Sequence, residues 1–187
     1  MLAGEMWRRL LLLLARGVLR GVDDSKALQL IAADLLDDEV KSNIERPGFY
    51  GFTSHPLPGM PLIVGFMGGN RTHGVVLAVG DREFRLKNLA AGEVALYTDE
   101  GDYIHFQRGN KIAVRAGAEI EATAPVVTVK AATKVRMETP LLEVTGEIRD
   151  RCESGGLSMA EMRDAYNTHT HPGDSGGVTG LPNTLME

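Results

Sequence analysis

At 187 residues with 43% hydrophobic content, the chain is long enough for one domain or two small ones and too apolar for compositional disorder. A formal net charge of -5, with no basic stripe interleaved with aromatics, argues against nucleic-acid binding. Aromatics make up only 5% while glycine supplies 22 residues, which disfavours a thick core of large rings and suits regular β structure with small, branched interior residues.

Residues 1–46 read as a helical N-terminal segment. Leu and Ala dominate, no proline precedes Pro47, and Leu28, Ile31 and Leu35 fall at 3–4 spacing. Asp24 or Ser25 would cap a second helix after a break at Gly21. The start, MLAGEMWRRLLLLLARGVLRGV, imitates a signal peptide through Arg8-Arg9 and Leu10–Leu14, but the apolar run breaks at Arg16 without a convincing cleavage site. It is also shorter than the roughly 20 apolar residues of a transmembrane helix, so an amphipathic helix is expected. The acidity is concentrated in Asp23, Asp24, Asp34, Asp37, Asp38 and Glu39 against Lys26, which reads as a solvated helix face.

From Pro47 to about residue 102, prolines and glycines punctuate short β-rich runs at Leu62–Phe66, Gly74–Val79, Phe84–Leu86 and Val94–Tyr97. Short strands with tight turns predict a small closed β-barrel over residues 47–102. Gly68-Gly69 and Gly80-Asp81 have the chemistry of hairpin turns.

Residues 103–150 carry an apolar-x-apolar triplet: Ile104-His105-Phe106, Ile112-Ala113-Val114, Ile120-Glu121-Ala122, Val127-Thr128-Val129, Val135-Arg136-Met137 and Leu142-Glu143-Val144. The starts lie 8, 8, 7, 8 and 7 residues apart, and Gly109-Asn110, Gly117, Pro125 and Pro140 turn the chain between them. In each triplet the outer residues share one face of a strand. A period this short means stacked strands. Each strand offers only about two inward residues, too few for a single-chain rod, so an intertwined β-helix of three chains is preferred over a monomeric solenoid.

Residues 151–187 form the end of the chain. The lone Cys152 excludes an intrachain disulfide and fits assembly in a reducing cytoplasm. Ser158 and Glu161 form a capping box for a short helix to about Asn167, with Met159, Met162 and Tyr166 on one packing stripe. His169 and His171 follow at i, i+2, so both imidazoles share one face if the segment is extended. Two nitrogens are half a coordination sphere. Three converging chains would bring six, closing an octahedral site suited to iron, nickel, copper or zinc. A saturated site has no open position for substrate, so its use would be to staple chain ends. Asp174 and Ser175 would cap the following turn, with support of a second ion as the alternative. His55, His73 and His105 are scattered and read as structural or surface residues.

Three stretches, GEVALYTDEGD (Gly92–Asp102), the triplets of 104–144, and SMAEMRDAYNTHTHPG (Ser158–Gly173), carry a resemblance to the central spike proteins of contractile-tailed phages, the baseplate assembly protein V group and its Mu-like members. The resemblance implies a homotrimer with an OB-type barrel, a triple-stranded β-helix and a sharp apex. It implies an iron ion held at the apex by His169 and His171 of three chains. It further implies attachment of the barrel to a baseplate hub protein, passage of the tip through the host outer membrane as the sheath contracts, and a place in the virion. No enzymatic activity and no nucleic-acid partner are expected. A trimeric receptor-binding tip or adhesin is the alternative, and an HxH metalloenzyme a weaker one, because no third ligand is evident.

Overall fold

The computed structural model describes residues 4, 7, 10–35 and 39–186. The chain divides into two compact units, Met1–Thr123 and Ala124–Glu187. In the first, β1 (Leu14–Asp23), β2 (Gln29–Leu35), β3 (Val40–Arg46), β4 (Pro61–Phe66) and β5 (Gly74–Val79) close a barrel in the order β1-β2-β3-β5-β4. β1 pairs antiparallel with both β2 and β4, which seals the ring, and the single parallel contact joins β3 to β5. Leu19, Ile31, Ala33, Leu35, Ile44, Leu62, Val64, Phe66 and Val76 fill the interior.

The barrel therefore begins at Leu14 and ends at Val79, correcting the expected helix over 1–46 and the expected barrel over 47–102. β2 shows the physical reason. Gln29, Ile31, Ala33 and Leu35 are buried in strict alternation with half-exposed Leu30, Ala32 and Asp34. Ile31 and Leu35 satisfy both a period of two and a spacing of four, and the Leu/Ala-rich composition favours the helical reading. Ladders to β1 and β3 on both sides override that local preference. Gly4, Trp7, Leu10 and Leu11 do have helical conformation. The rest of residues 1–9, including Arg8-Arg9, lies outside the described residues.

The acidic residues decorate strands and turns instead of a helix face. Asp23 closes β1 with an Asx turn, its Oδ1 accepting from the Ser25 N–H (3.0 Å) and hydroxyl (2.6 Å), which corrects the expected helix cap at Asp24 or Ser25. Asp34 faces Arg20 across the ladder at 3.2 Å, and Glu39 pairs with Lys41 and Arg71. Asp37 and Asp38 lie outside the described residues. Two local devices let the ring close. A Cβ on Gly17 would sit 2.5 Å from the Asp34 carbonyl oxygen, so only glycine permits β1 and β2 to approach there. Asn43 takes φ 58 where β3 bulges opposite β2, a conformation asparagine tolerates better than most residues. The Arg46 guanidinium, bonded to the buried Gln29 side chain and to the Ser54 carbonyl and hydroxyl (2.8 Å each), latches the loop after β3.

Beyond the barrel, β6 (Val94–Tyr97), β7 (Tyr103–Gln107) and β8 (Lys111–Arg115) form an antiparallel sheet. The first two triplets are thus strands. Phe84–Leu86 is not one: the Asp81 carboxylate accepts from the N–H groups of Glu83 and Phe84 (2.9 Å each), so Gly80-Asp81 opens an Asx turn and not a hairpin. The Gly68-Gly69 turn joins β4 to β5 as expected, both glycines at positive φ. At the start of β6, the Glu93 carboxylate accepts from the N–H groups of Ala90 (3.0 Å) and Arg108 (2.9 Å) and faces His105 at 3.2 Å.

In the second unit, α1 (Met159–Thr168) follows a tight reversal at Arg151–Gly156, where a Cβ on Gly156 would fall 2.2 Å from the Asp150 carbonyl oxygen. Both halves of the capping box are made: the Glu161 N–H donates to the Ser158 hydroxyl (3.2 Å) and the Ser158 N–H to the Glu161 carboxylate (2.6 Å). That N–H, then Arg149 at 3.4 Å and the Ser158 hydroxyl, hold the Glu161 carboxyl below its ordinary value of 4.5. Among the described residues no helix is long and apolar enough to cross a membrane.

Two outcomes test this arrangement. Ala33→Asp places a carboxylate inside the barrel and is expected to abolish amide protection across β1–β5 in hydrogen exchange, whereas Ala32→Asp, one residue along and half-exposed, leaves it intact. Because the folded pKa of Glu161 is depressed, the charged half of the cap is fully present above 4.5 and is lost as pH falls through the lower folded value. The Ser158 amide should therefore exchange faster, after correction for intrinsic rate, on going to about pH 3. Glu161→Gln should remove that pH dependence.

Candidate functional site

α1 delivers the chain to the histidine pair. His169 is its C-cap and takes an extended conformation (φ -71, ψ 147), which ends the helix and starts the i, i+2 alternation. The two imidazoles consequently lie together, ring centroids 5.0 Å apart with planes at 89°. The Tyr166 carbonyl lies 2.5 Å from His169 Nδ1, and the Tyr166 ring is 5.3 Å from the His169 ring. A carbonyl accepts only, so Nδ1 carries the proton and the lone pair sits on Nε2. That is the arrangement of a metal-binding histidine oriented by a backbone carbonyl.

His171 is fixed through its backbone. Its N–H donates to the Thr179 hydroxyl (2.9 Å) and its carbonyl accepts the Thr179 N–H (2.8 Å). Between them Pro172 bridges Val178, and the Gly173 N–H reaches the Gly177 carbonyl at 2.7 Å. Asp174 and Ser175 occupy the turn of this miniature hairpin. A cavity of about 380 Å³ opens beside the pair, with Tyr166, His169 and His171 on one side and Gly180 and Pro182–Thr184 on the other.

The described residues of one chain contain no group of three or more His, Cys, Asp or Glu side chains placed to hold a metal. The donor set is therefore two neighbouring imidazoles, one already locked in a ligating tautomer. Sequence reasoning found both histidines and the capping box. It took Tyr166 as packing alone and missed the structural parts played by Thr179 and Asn167, whose signals are a tertiary hydrogen bond eight residues on and one nineteen residues on.

The remaining histidines serve other ends. His73 sits in the β4–β5 turn beside Asn70 and Thr72. His105 faces Glu93. His55 lines an open cleft of about 1010 Å³ where Phe49, Phe52, Leu57, Phe84 and Tyr97 mix with charged residues such as Asp24, Arg46 and Asp81.

Comparison with known proteins bears on both units. The family described as Bacteriophage Mu Gp45, N-terminal, matches residues 16–83, which is the barrel almost strand for strand. The baseplate puncturing device gp45 of Escherichia phage Mu is 32% identical over 94% of this chain and 91% of its own length. The spike protein of Escherichia phage P2 is 36% identical over 49% of each chain. The Mu-like prophage FluMu protein gp45 of Haemophilus influenzae is 38% identical over 50% of this chain and 51% of its own. With such likeness along nearly its full length, the chain belongs to the phage Mu gp45 family.

Proposed function

We propose that three copies of this chain form the central spike at the tip of a contractile phage-tail baseplate, a structural virion protein that punctures the host outer membrane. Membership of the family supplies the role. The observation that carries the trimeric assembly is the apolar face left open on the β6–β8 sheet. Register aligns Val94 with Phe106, Leu96 with Ile104, Ile104 with Val114 and Phe106 with Ile112, so six apolar side chains share one face. That face is exposed, from 39% for Ile104 to 63% for Ile112. The later triplets repeat the pattern, with Val129 at 71% and Met137 at 64%, and among the described residues no strand pairing satisfies residues 116–147.

A face of this kind cannot stand in water. Burying each such side chain is worth about 1.5–3 kcal/mol, and contiguous exposed apolar surface marks an interaction site. Three copies wound about one axis turn the triplets inward and pair the open backbone between chains. The result is a triple-stranded β-helix, which distributes axial load over many hydrogen bonds. We read the N-terminal barrel as OB-type and as the part that seats on the baseplate hub protein. Its fold name implies no nucleic-acid partner, and the net charge of -5 is in keeping.

At the apex, His169 and His171 of three chains would hold one iron ion, six imidazole nitrogens in all. Bound iron would supply cross-linking there and no chemistry, because a saturated sphere leaves no position for substrate. His169 contributes Nε2, oriented by the Tyr166 carbonyl, and the Thr179 hydrogen bonds hold the second ligand's backbone. The spike would assemble in the host cytoplasm and act from the virion.

Native mass spectrometry with metal analysis tests this directly, three chains and one iron being the expected mass. Changing His169 and His171 to Ala should remove the iron, leave a trimer and disorder the tip. Val129→Asp, which puts a charge on the inward face, should lower the trimer population at least about tenfold. A monomer carrying its own metal would sink the assembly.

A further inference from the structure

The geometry points to Asn167 as a latch that folds the C-terminal residues 180–186 over the histidine pair and slows exchange of the bound ion with solvent. This rests on the reading of His169 and His171 as an apical metal site. The carboxamide of Asn167, at the penultimate position of α1, grips one residue twice. Its Nδ2 donates to the Met186 carbonyl (3.0 Å) and its Oδ1 accepts the Met186 N–H (2.8 Å). A side-chain amide thus reproduces the paired hydrogen bonds of an antiparallel ladder, nineteen residues along the chain.

Closing the loop there has a consequence for the histidines. The enclosed segment contains His169, His171 and the Pro172–Val178 hairpin, and its return stretch, Gly180 to Thr184, forms the far wall of the cavity beside both imidazoles. Hairpin hydrogen bonds hold the segment only as far as Thr179. Among the described residues, the hydrogen bonds anchoring the tail from Gly180 onward are the two to Asn167. Without them the wall is a Gly/Pro-containing tail with most of its entropy restored. Asn167 makes no claim on the metal. It is a positioning residue that acts through the tail, its carboxamide offering a donor and an acceptor together to the N–H and C=O of one residue.

The test uses the full chain loaded with ferrous iron. Two quantities are read: release of iron to a coloured ferrous chelator in excess, and amide hydrogen exchange across 180–186 in both iron-loaded and iron-free protein. Asn167→Ala should free those amides in both forms and speed iron release about tenfold, as expected for the loss of two hydrogen bonds in part offset by residual order. Truncation after Thr179 should release iron as fast as Asn167→Ala does, and combining the two should add nothing. Asn167→Asp, which keeps the acceptor and loses the donor, should fall between wild type and Ala. Freed tail amides with unchanged iron release would overturn the guarding role. Wild-type tail amides as unprotected as those of Asn167→Ala would overturn the latch itself. A wild-type trimer that takes up no iron would instead overturn the metal reading, a result separate from the tail's protection, which the iron-free protein reports alone.

Discussion

The molecule depends on one constraint: a run of strands whose alternate residues are apolar and which the chain cannot cover by itself. Ile104, Phe106, Ile112 and Val114 meet across β7 and β8 in exact cross-strand pairs and still face outward. Further along, Val127, Val129, Val135 and Met137 are exposed with no ladder at all. Polar backbone and apolar side chains are therefore both unsatisfied over the same stretch. In the proposed trimer, copies of the chain would relieve the two deficits together, because the neighbour that supplies hydrogen bonds would also supply the facing apolar row.

The two ends are built on a different plan. The barrel has a closed ring of hydrogen bonds and its own core, from Leu19 to Val76. The tip has no comparable core. It is held by polar devices at close range: the Ser158–Glu161 box, the Thr179 contacts to His171, and the double bond from Asn167 to Met186. With little interior to bury, this segment is stiffened by hydrogen bonds, to which the proposed shared metal would add. α1 keeps Met159, Met162 and Tyr166 only half covered.

The short helix after Ser158 and the strands of the first two triplets were legible because their signals are local. A capping box, an HxH pair and a period of 7–8 residues each occupy a few neighbouring positions. The first 46 residues were misread because theirs are not. Ile31 and Leu35 fit a helix and a strand equally well, and Gln29, a polar residue in the buried series, hides the alternation. Its burial is tolerable only because the side chain is bonded to Arg46, Ser54 and Asp24, partners that tertiary structure brings to it. Phe84–Leu86 failed for a smaller reason: Asp81 offers its carboxylate to two following N–H groups and turns a β-rich run into a loop.

The sequence by itself determined the β character of the chain, the repeat, the helix near its end and the two histidines, since each follows from the spacing of residue types along a few turns of backbone. Only the tertiary structure decided where the barrel begins, that β1 returns to β4 to close it, and that Tyr166, Thr179 and Asn167 position the histidine pair and its wall. Those are pairings between segments far apart in the chain. Their energy depends on geometry reached after folding, and no local pattern records it.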